Sequence, residues 1–498
     1  MRLLVILPLL IPSVAFGLKE IPCQCDKDFA FIVSYLEHDY SGFSVNVTDE
    51  NRHEYEELKT RLEQKSKTNL SKEHCLLLLR EYTGFFRDRH LNVRMKGTPN
   101  IDENSDEAVR QFRLSPAFVN REKIPYDSSK LWSDLLSSND PVEGIYENDV
   151  YQFAVIRQPG EFRDYAGIIT KSTSKLWEPG HVKLEIKRIS DNRFQTILYL
   201  RNHSPNFEVI DAKNPVPEMV EVKKIFPLNN VPGSEPKDNS WLPTTTRWFE
   251  FRVLDDSTTY IGIRTFDGAL KSKFDSAYAA TLPIVRQKPN LLIDVRGNGG
   301  GSDLNWQPLA KLIYTQPYPY DESEYYCSPE IIKRDEELLV EMKKKKKSYG
   351  WLAIEIQKIR LHHIKKAPPY SWIKFQEMVP WFARPFVNVK SYSQKKVYPQ
   401  PKRVIVMYNR NAASAAEGLI LEAMHSKKVL TFGENSGGYL TFGDVRVVDT
   451  PSGFVLQSST TRILNRFQYE KTGIPPKVMA LPNEDWIMQT KVLWPAIR

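Results

Sequence analysis

The chain has 498 residues, of which 41 % are hydrophobic and 11 % aromatic, which excludes a disordered or collagen-like polymer and allows a sizeable core in roughly two to three domains. Its formal charge of +8 does not mark a nucleic-acid binder. Nine positive residues and one negative, Glu355, lie between Lys343 and Lys366, so one segment holds the whole excess and the rest of the chain is balanced.

The N-terminus, MRLLVILPLLIPSVAFG, has an early Arg2, an apolar run from Leu3 to Leu10, and small Ala15 and Gly17 before a cleavage point. Residues 1–17 therefore read as a secretory signal peptide, too short to span a membrane. No later window offers 18 consecutive apolar residues, so we expect an exported protein, periplasmic or extracellular, with no integral membrane segment after signal removal. The four cysteines suit an oxidising compartment, and a bridge from Cys23 or Cys25 to Cys75 would staple the N-terminal segment.

Residues 18–97 read as a helical region, with Phe29, Ile32, Val33 and Leu36 at helical steps and Tyr55, Leu58 and Leu62 repeating them. Residues 98–228 read as a β-rich domain, from the strand signals YQFAVI, YAGIIT, HVKLEIKRI and RFQTILYLRN. A linker follows at 229–246, marked by Pro232-Gly233 and Pro236. From 247 to 498 strands and helices alternate, with FEFRVL and TYIGIRTF as paired strands and a helix over Phe274–Val285. The apolar strand LLIDV, a helix to Ile313, the strand RVIVM, a helix over Ala415–Met424 and the strand VLTF continue the order. Buried strands alternating with helices predict an α/β core. A basic, helix-leaning insertion interrupts it at about 318–400.

Glycine is scarce, at 23 residues, yet eight fall in two places: Gly297, Gly299, Gly300 and Gly301, then Gly433, Gly437, Gly438 and Gly443. The first follows LLIDV, and a buried strand entering a glycine-rich turn converges backbone N–H groups on a small volume, a nest for an anion. It lacks the lysine of a phosphate-binding loop, and a tight strand–helix turn uses glycines the same way. After RVIVM comes Asn411-Ala412-Ala413-Ser414-Ala415-Ala416-Glu417, in which Ser414 and Glu417 fit an ordinary capping box. The same residues fit a nucleophile at a helix start with a free amide at Ala415.

Taken in order, LLIDVRGNGGG, RNAASAAEG, Gly433-Glu434-Asn435-Ser436-Gly437-Gly438 and Glu470-Lys471-Thr472-Gly473-Ile474-Pro475-Pro476 resemble the tail-specific (C-terminal processing) serine protease family, over about 248–479 apart from the insertion. The resemblance implies a ClpP/crotonase-like α/β core. It implies Ser414 as nucleophile and an oxyanion hole from Gly300 or Gly301 with Ala415. Many members pair the serine with a lysine, and here Tyr439 stands in that place. The branch resembling the tricorn core uses a histidine base and a glutamate. Asp88-Arg89-His90 and Glu470 fit those motifs, which implies His90 as base and Glu470 as its orienting acid.

The resemblance thus implies an exported serine protease acting on protein or peptide substrates, with no cofactor and no metal. His362-His363 places adjacent imidazoles on opposite faces, and no His-Glu-x-x-His occurs. Residues 98–228 stand where family members often carry a PDZ domain. The competing reading is a non-catalytic ligand- or peptide-binding protein on the same fold, motivated by Tyr439, Arg89 and Lys477 where the family has other residues. A third is adhesion to acidic polymers through Lys343–Lys366.

Overall fold

A computed structural model of the chain describes residues 23–96, 99–211, 215–216, 222–227, 247–378, 391–482 and 484–497. The expected signal peptide at 1–17 and linker at 229–246 lie outside the described residues, as do 379–390 of the insertion. The chain forms two compact units: one chiefly of Met95–Gly233 with Leu70–Cys75, the other of Asp26–Asn69, Leu76–Arg94 and Ser234–Arg498.

In the first unit the four strand signals become Tyr151–Arg157, Tyr165–Ser172, Val182–Ser190 and Arg193–Tyr199. They are neighbours in a seven-stranded sheet whose pairs are all antiparallel. Five consecutive residues, Val182–Ile186, are buried, so both faces of that strand are covered over this stretch. The disulfide joins Cys25 to Cys75.

The second unit is built on a six-stranded sheet in the order Val478–Met479, Val429–Gly433, Arg403–Tyr408, Asn290–Asp294, Thr258–Ile263, Phe249–Val253. All pairs are parallel except the last. The apolar runs seen in the sequence lie here because a parallel strand with helices on both faces must be apolar on both. Leu291 and Ile293 point into one core with Phe274, Leu309 and Ile420. Leu292 joins Ile405, Met407, Phe432 and Trp486 in the other. Register sets Asp294 opposite Met407 and Tyr408 opposite Gly433, so three strands end at one edge of the sheet. Loops leaving that edge can converge, which is where open α/β sheets bind ligands.

A second sheet in the same unit pairs Val455–Ile463 with Phe442–Asp449, Ser323–Cys327 and Asn92–Arg94. The N-terminal helices attach to it: Tyr35 Oη and Ser458 Oγ lie 3.1 Å apart, and the Ser41 hydroxyl donates to Ser459 O at 2.9 Å. The helix-leaning insertion proves mixed. Helices Pro329–Lys344 and Trp351–Lys366 enclose Leu339, Met342, Ile354 and Leu361, while Ser323–Cys327 and Ser371–Lys374 pair as strands. The strands escape sequence reading because polar and aromatic residues in SEYYC and SWIK find their partners only across the fold.

Candidate active site

Two turns leave the shared sheet edge laced together. Asn409 Oδ1 accepts from Gly297 N–H at 3.0 Å and from Asn411 N–H at 3.2 Å. Asn298 O accepts from Ala413 N–H at 2.9 Å, and Asn298 Oδ1 accepts from Gly300 N–H at 2.9 Å. Under the first turn lies a buried ion cluster: Asp294 receives Arg296 and Arg264, each at 2.9 Å. Burial alone would raise the Asp294 carboxyl, but the two guanidinium groups hold it well below the usual carboxylate range.

Ser414 sits at the entrance of helix Ala415–Met424 with φ 54° and ψ −117°, a conformation rare for a residue with a side chain. Such backbone costs about 1–3 kcal/mol and needs surroundings that impose it. Gly300 supplies part of them. At φ +100° a Cβ there would lie 2.7 Å from Ala413 O and 2.8 Å from Ser414 Cβ, so only glycine lets the first turn reach the serine.

Glu417 does more than cap the helix. Its carboxylate is fully buried and accepts four hydrogen bonds. Oε2 takes the N–H of Ser414 at 2.8 Å and of Tyr439 at 2.9 Å; Oε1 takes Ser436 Oγ–H at 2.5 Å and Gly438 N–H at 2.7 Å. A buried carboxylate is tolerable when its lone pairs are filled this way. The Ser-x-x-Glu spacing signals the cap; nothing local signals the tether to Ser436–Tyr439.

His90 comes from 324 residues away. Its Nε2 lies 3.3 Å from Ser414 Oγ, and its ring meets the Tyr439 ring edge-on at 5.8 Å between centroids. Asn92–Arg94 pairs with the second sheet, and Gln457 Nε2–H donates to His90 O at 3.2 Å, which fixes the loop. The buried Nδ1 has no hydrogen-bond partner among the described residues. The carboxylate beside it is Asp88, with Oδ1 at 4.0 Å from Nδ1 and also accepting His90 N–H at 2.8 Å. Asp88 Oδ2 accepts Tyr40 Oη–H at 2.6 Å.

Glu470, expected to orient His90, is engaged by backbone amides. It forms no ion pair with His90; its Oε2 accepts the N–H groups of Thr441 at 2.7 Å and Leu440 at 3.0 Å. Burial raises its carboxyl above the ordinary value, the two amides pull it back, and nearby Asp88 pushes it up again. Of the expected oxyanion donors, Gly300 N–H is committed to Asn298. The N–H groups of Gly301 and Ala415 make no hydrogen bond to the protein among the described residues. Ala415 is the first residue of its helix, where N–H groups lack internal partners.

The lysines nearest Ser414 in sequence lie at the wrong end of the sheet. Lys428 precedes strand Val429–Gly433, roughly 15 Å of strand from the serine edge, and its buried amine donates to Leu312 O and Tyr398 O at 2.9 and 3.3 Å. Burial pushes that amine down to about 8. Tyr439, in the position where a lysine is expected, instead packs under the Arg89 guanidinium at 4.8 Å.

A serine and a histidine thus stand at hydrogen-bond reach beside glycine-rich backbone and a helix start, an arrangement able to carry nucleophilic chemistry. Residues 257–479 match the model of Peptidase family S41. This segment, which holds Ser414, Tyr439 and Glu470 but not His90, is similar to a family of peptidase hydrolases. Among solved structures, mature CPAF complexed with lactacystin is similar at 13 % identity, over 95 % of this chain and 98 % of that one, with a TM-score of 0.47. The photosystem II D1 C-terminal processing protease is 12 % identical over 94 % of this chain and 97 % of its own, with a TM-score of 0.35. The tricorn protease is 10 % identical, covering 94 % of this chain and 35 % of that one, with a TM-score of 0.37. No curated protein matches the chain.

Proposed function

We propose that the chain is an exported serine peptidase that hydrolyses peptide bonds of protein substrates. The observation that carries this reading is the 3.3 Å approach of His90 Nε2 to Ser414 Oγ. In the reaction His90 Nε2 takes the Ser414 hydroxyl proton as Oγ attacks the scissile carbonyl carbon. The developing oxyanion faces the N–H of Ala415, with that of Gly301 as the second donor. His90 then returns the proton to the leaving amine, and water repeats the cycle on the acyl-enzyme. Asp88, on the Nδ1 side, favours the imidazolium that forms; Glu470 adds negative charge nearby and holds the amides of 440 and 441 in place. No metal or organic cofactor enters these steps.

Export rests on the N-terminal pattern of Arg2, Leu3–Leu10, Ala15 and Gly17, together with the Cys25–Cys75 bridge, a pairing typical of oxidising compartments. The protein should be recovered outside the cytosol with its N-terminus at Leu18.

Two assays test the chemistry. A fluorophosphonate probe should label the protein and fail to label Ser414→Ala. Cleavage of an unfolded protein should fall by roughly 10³-fold or more in Ser414→Ala and in His90→Ala. Parent-like cleavage by either variant would overturn the assignment, and a parent that is neither labelled nor active would instead be a binding protein on this fold.

A further inference from the structure

The loop that delivers His90 also forms the wall of a cleft of about 470 Å³. Four cations line it, Arg80, Arg87, Arg89 and Lys471, against one carboxylate, Asp88. Asp88 offsets only one of the four charges, and its oxygens accept from His90 N–H and the Tyr40 hydroxyl rather than from a cation of the cleft. The contacts of Arg89 and Lys471 are to neutral acceptors: Arg89 Nη1 donates to Gly437 O and Tyr439 Oη, each at 3.2 Å, and Lys471 Nζ to Asn46 Oδ1 at 3.1 Å. Arg87, Arg89 and Lys471 form no ion pair among the described residues. Arg80, which donates to Val93 O at 3.0 Å, has its pKa lowered by burial, so one wall is partly desolvated. A concave surface of one sign with a desolvated wall concentrates field and draws in anions.

Two further observations connect the cleft to the site. Arg87, at φ 50°, and Lys471, at φ 69°, hold left-handed backbone that side-chain-bearing residues rarely adopt, and such strain gathers at ligand clamps. Arg89 adjoins His90, Lys471 adjoins Glu470, and the Gly437 carbonyl that Arg89 holds lies in the stretch that Glu417 ties to Ser414. The cleft is therefore walled in part by Asp88, Arg89 and Leu91, the chain neighbours of His90.

We propose that this cleft binds the carboxylate of an aspartate or glutamate side chain of the peptide substrate, giving a preference for an acidic residue near the scissile bond. The inference rests on the peptidase reading for the word substrate, but its test does not need turnover. Ser414→Ala protein is titrated with fluorescent, C-terminally amidated peptides that differ only in Glu or Gln, scanned along the sequence; amidation removes the chain-end carboxylate. At one or two positions Glu should bind about tenfold tighter than Gln at low salt. The ratio should approach one at about 1 M salt and in Arg87→Ala/Lys471→Ala added to Ser414→Ala. Arg87→Lys should keep most of it. A Glu/Gln ratio near one at every position overturns the proposal, as does a ratio that the double substitution leaves unchanged. Cleavage by the parent is scored separately, so loss of the peptidase reading and loss of the cleft are distinguished.

Discussion

Two glycine-rich stretches border Ser414 and are held by opposite means. Gly297–Gly301 is held by neutral amides close at hand, Asn298 within the turn and Asn409 on the neighbouring strand end. Ser436–Tyr439 has backbone ties too, Ser436 N–H to Ile474 O at 3.1 Å and Gly437 N–H to Ala412 O at 2.7 Å, but three of its donors converge on one buried carboxylate, Glu417, which also takes the nucleophile's own N–H. The first stretch is a shape that several weak ties share. In the second, one charged group gathers four ties, so one substitution should loosen it and Ser414 together.

That contrast gives four ways to break it. The largest effect is expected at Gly300→Ala, where the added methyl meets Ala413 O and Ser414 Cβ below 3.0 Å. Peptidase activity should fall at least about a hundredfold, since oxyanion geometry is lost. A loss under about tenfold in a folded variant means that the turn does not shape the site. Next, Glu417→Gln should cost about 2–3 kcal/mol in urea denaturation, because four buried donors lose a charged acceptor. Asn298→Ala should cost less, about 1–2 kcal/mol, because Ala413 N–H bonds the Asn298 backbone oxygen and keeps its partner. If Asn298→Ala costs more than Glu417→Gln, the contrast is the wrong way round.

The smallest effect concerns pH. The Glu470 carboxyl, beside the second stretch, is raised above its ordinary 4.5 by burial, so the native state holds its proton more tightly than the unfolded chain. That contribution to stability is complete below 4.5 and is lost as pH rises through the raised value. Melting temperatures of the parent and Glu470→Gln should therefore diverge over that window, with the parent losing ground as pH rises. Parallel curves would show that Glu470 titrates alike in both states.

Much of the core was legible beforehand because its signals are local. LLIDV and RVIVM are apolar at every position because parallel strands are covered on both faces, and they appear as Asn290–Asp294 and Arg403–Tyr408. The helix over Ala415–Met424 was readable from its Ser-x-x-Glu start. Residues Ser323–Cys327 were unreadable because their partner in Val455–Ile463 lies more than a hundred positions away. The same limit applies at the site. The Asp-x-His stretch resembles one that supplies a base and so pointed to His90, whereas the 4.0 Å approach of Asp88 Oδ1 to its Nδ1 depends on how the loop folds against the second sheet.

The sequence by itself determined the alternation of buried strands and helices, the two glycine turns, and the serine at a helix start. Each is written in near neighbours, through apolar runs, backbone freedom and capping spacing. Only the tertiary structure decided that His90 reaches Ser414, that Glu417 binds both the nucleophile turn and the second glycine stretch, and that Arg87, Arg89 and Lys471 share one cleft. Those facts join residues up to several hundred positions apart, and the sheet edge at which the strands end together is what brings them within reach.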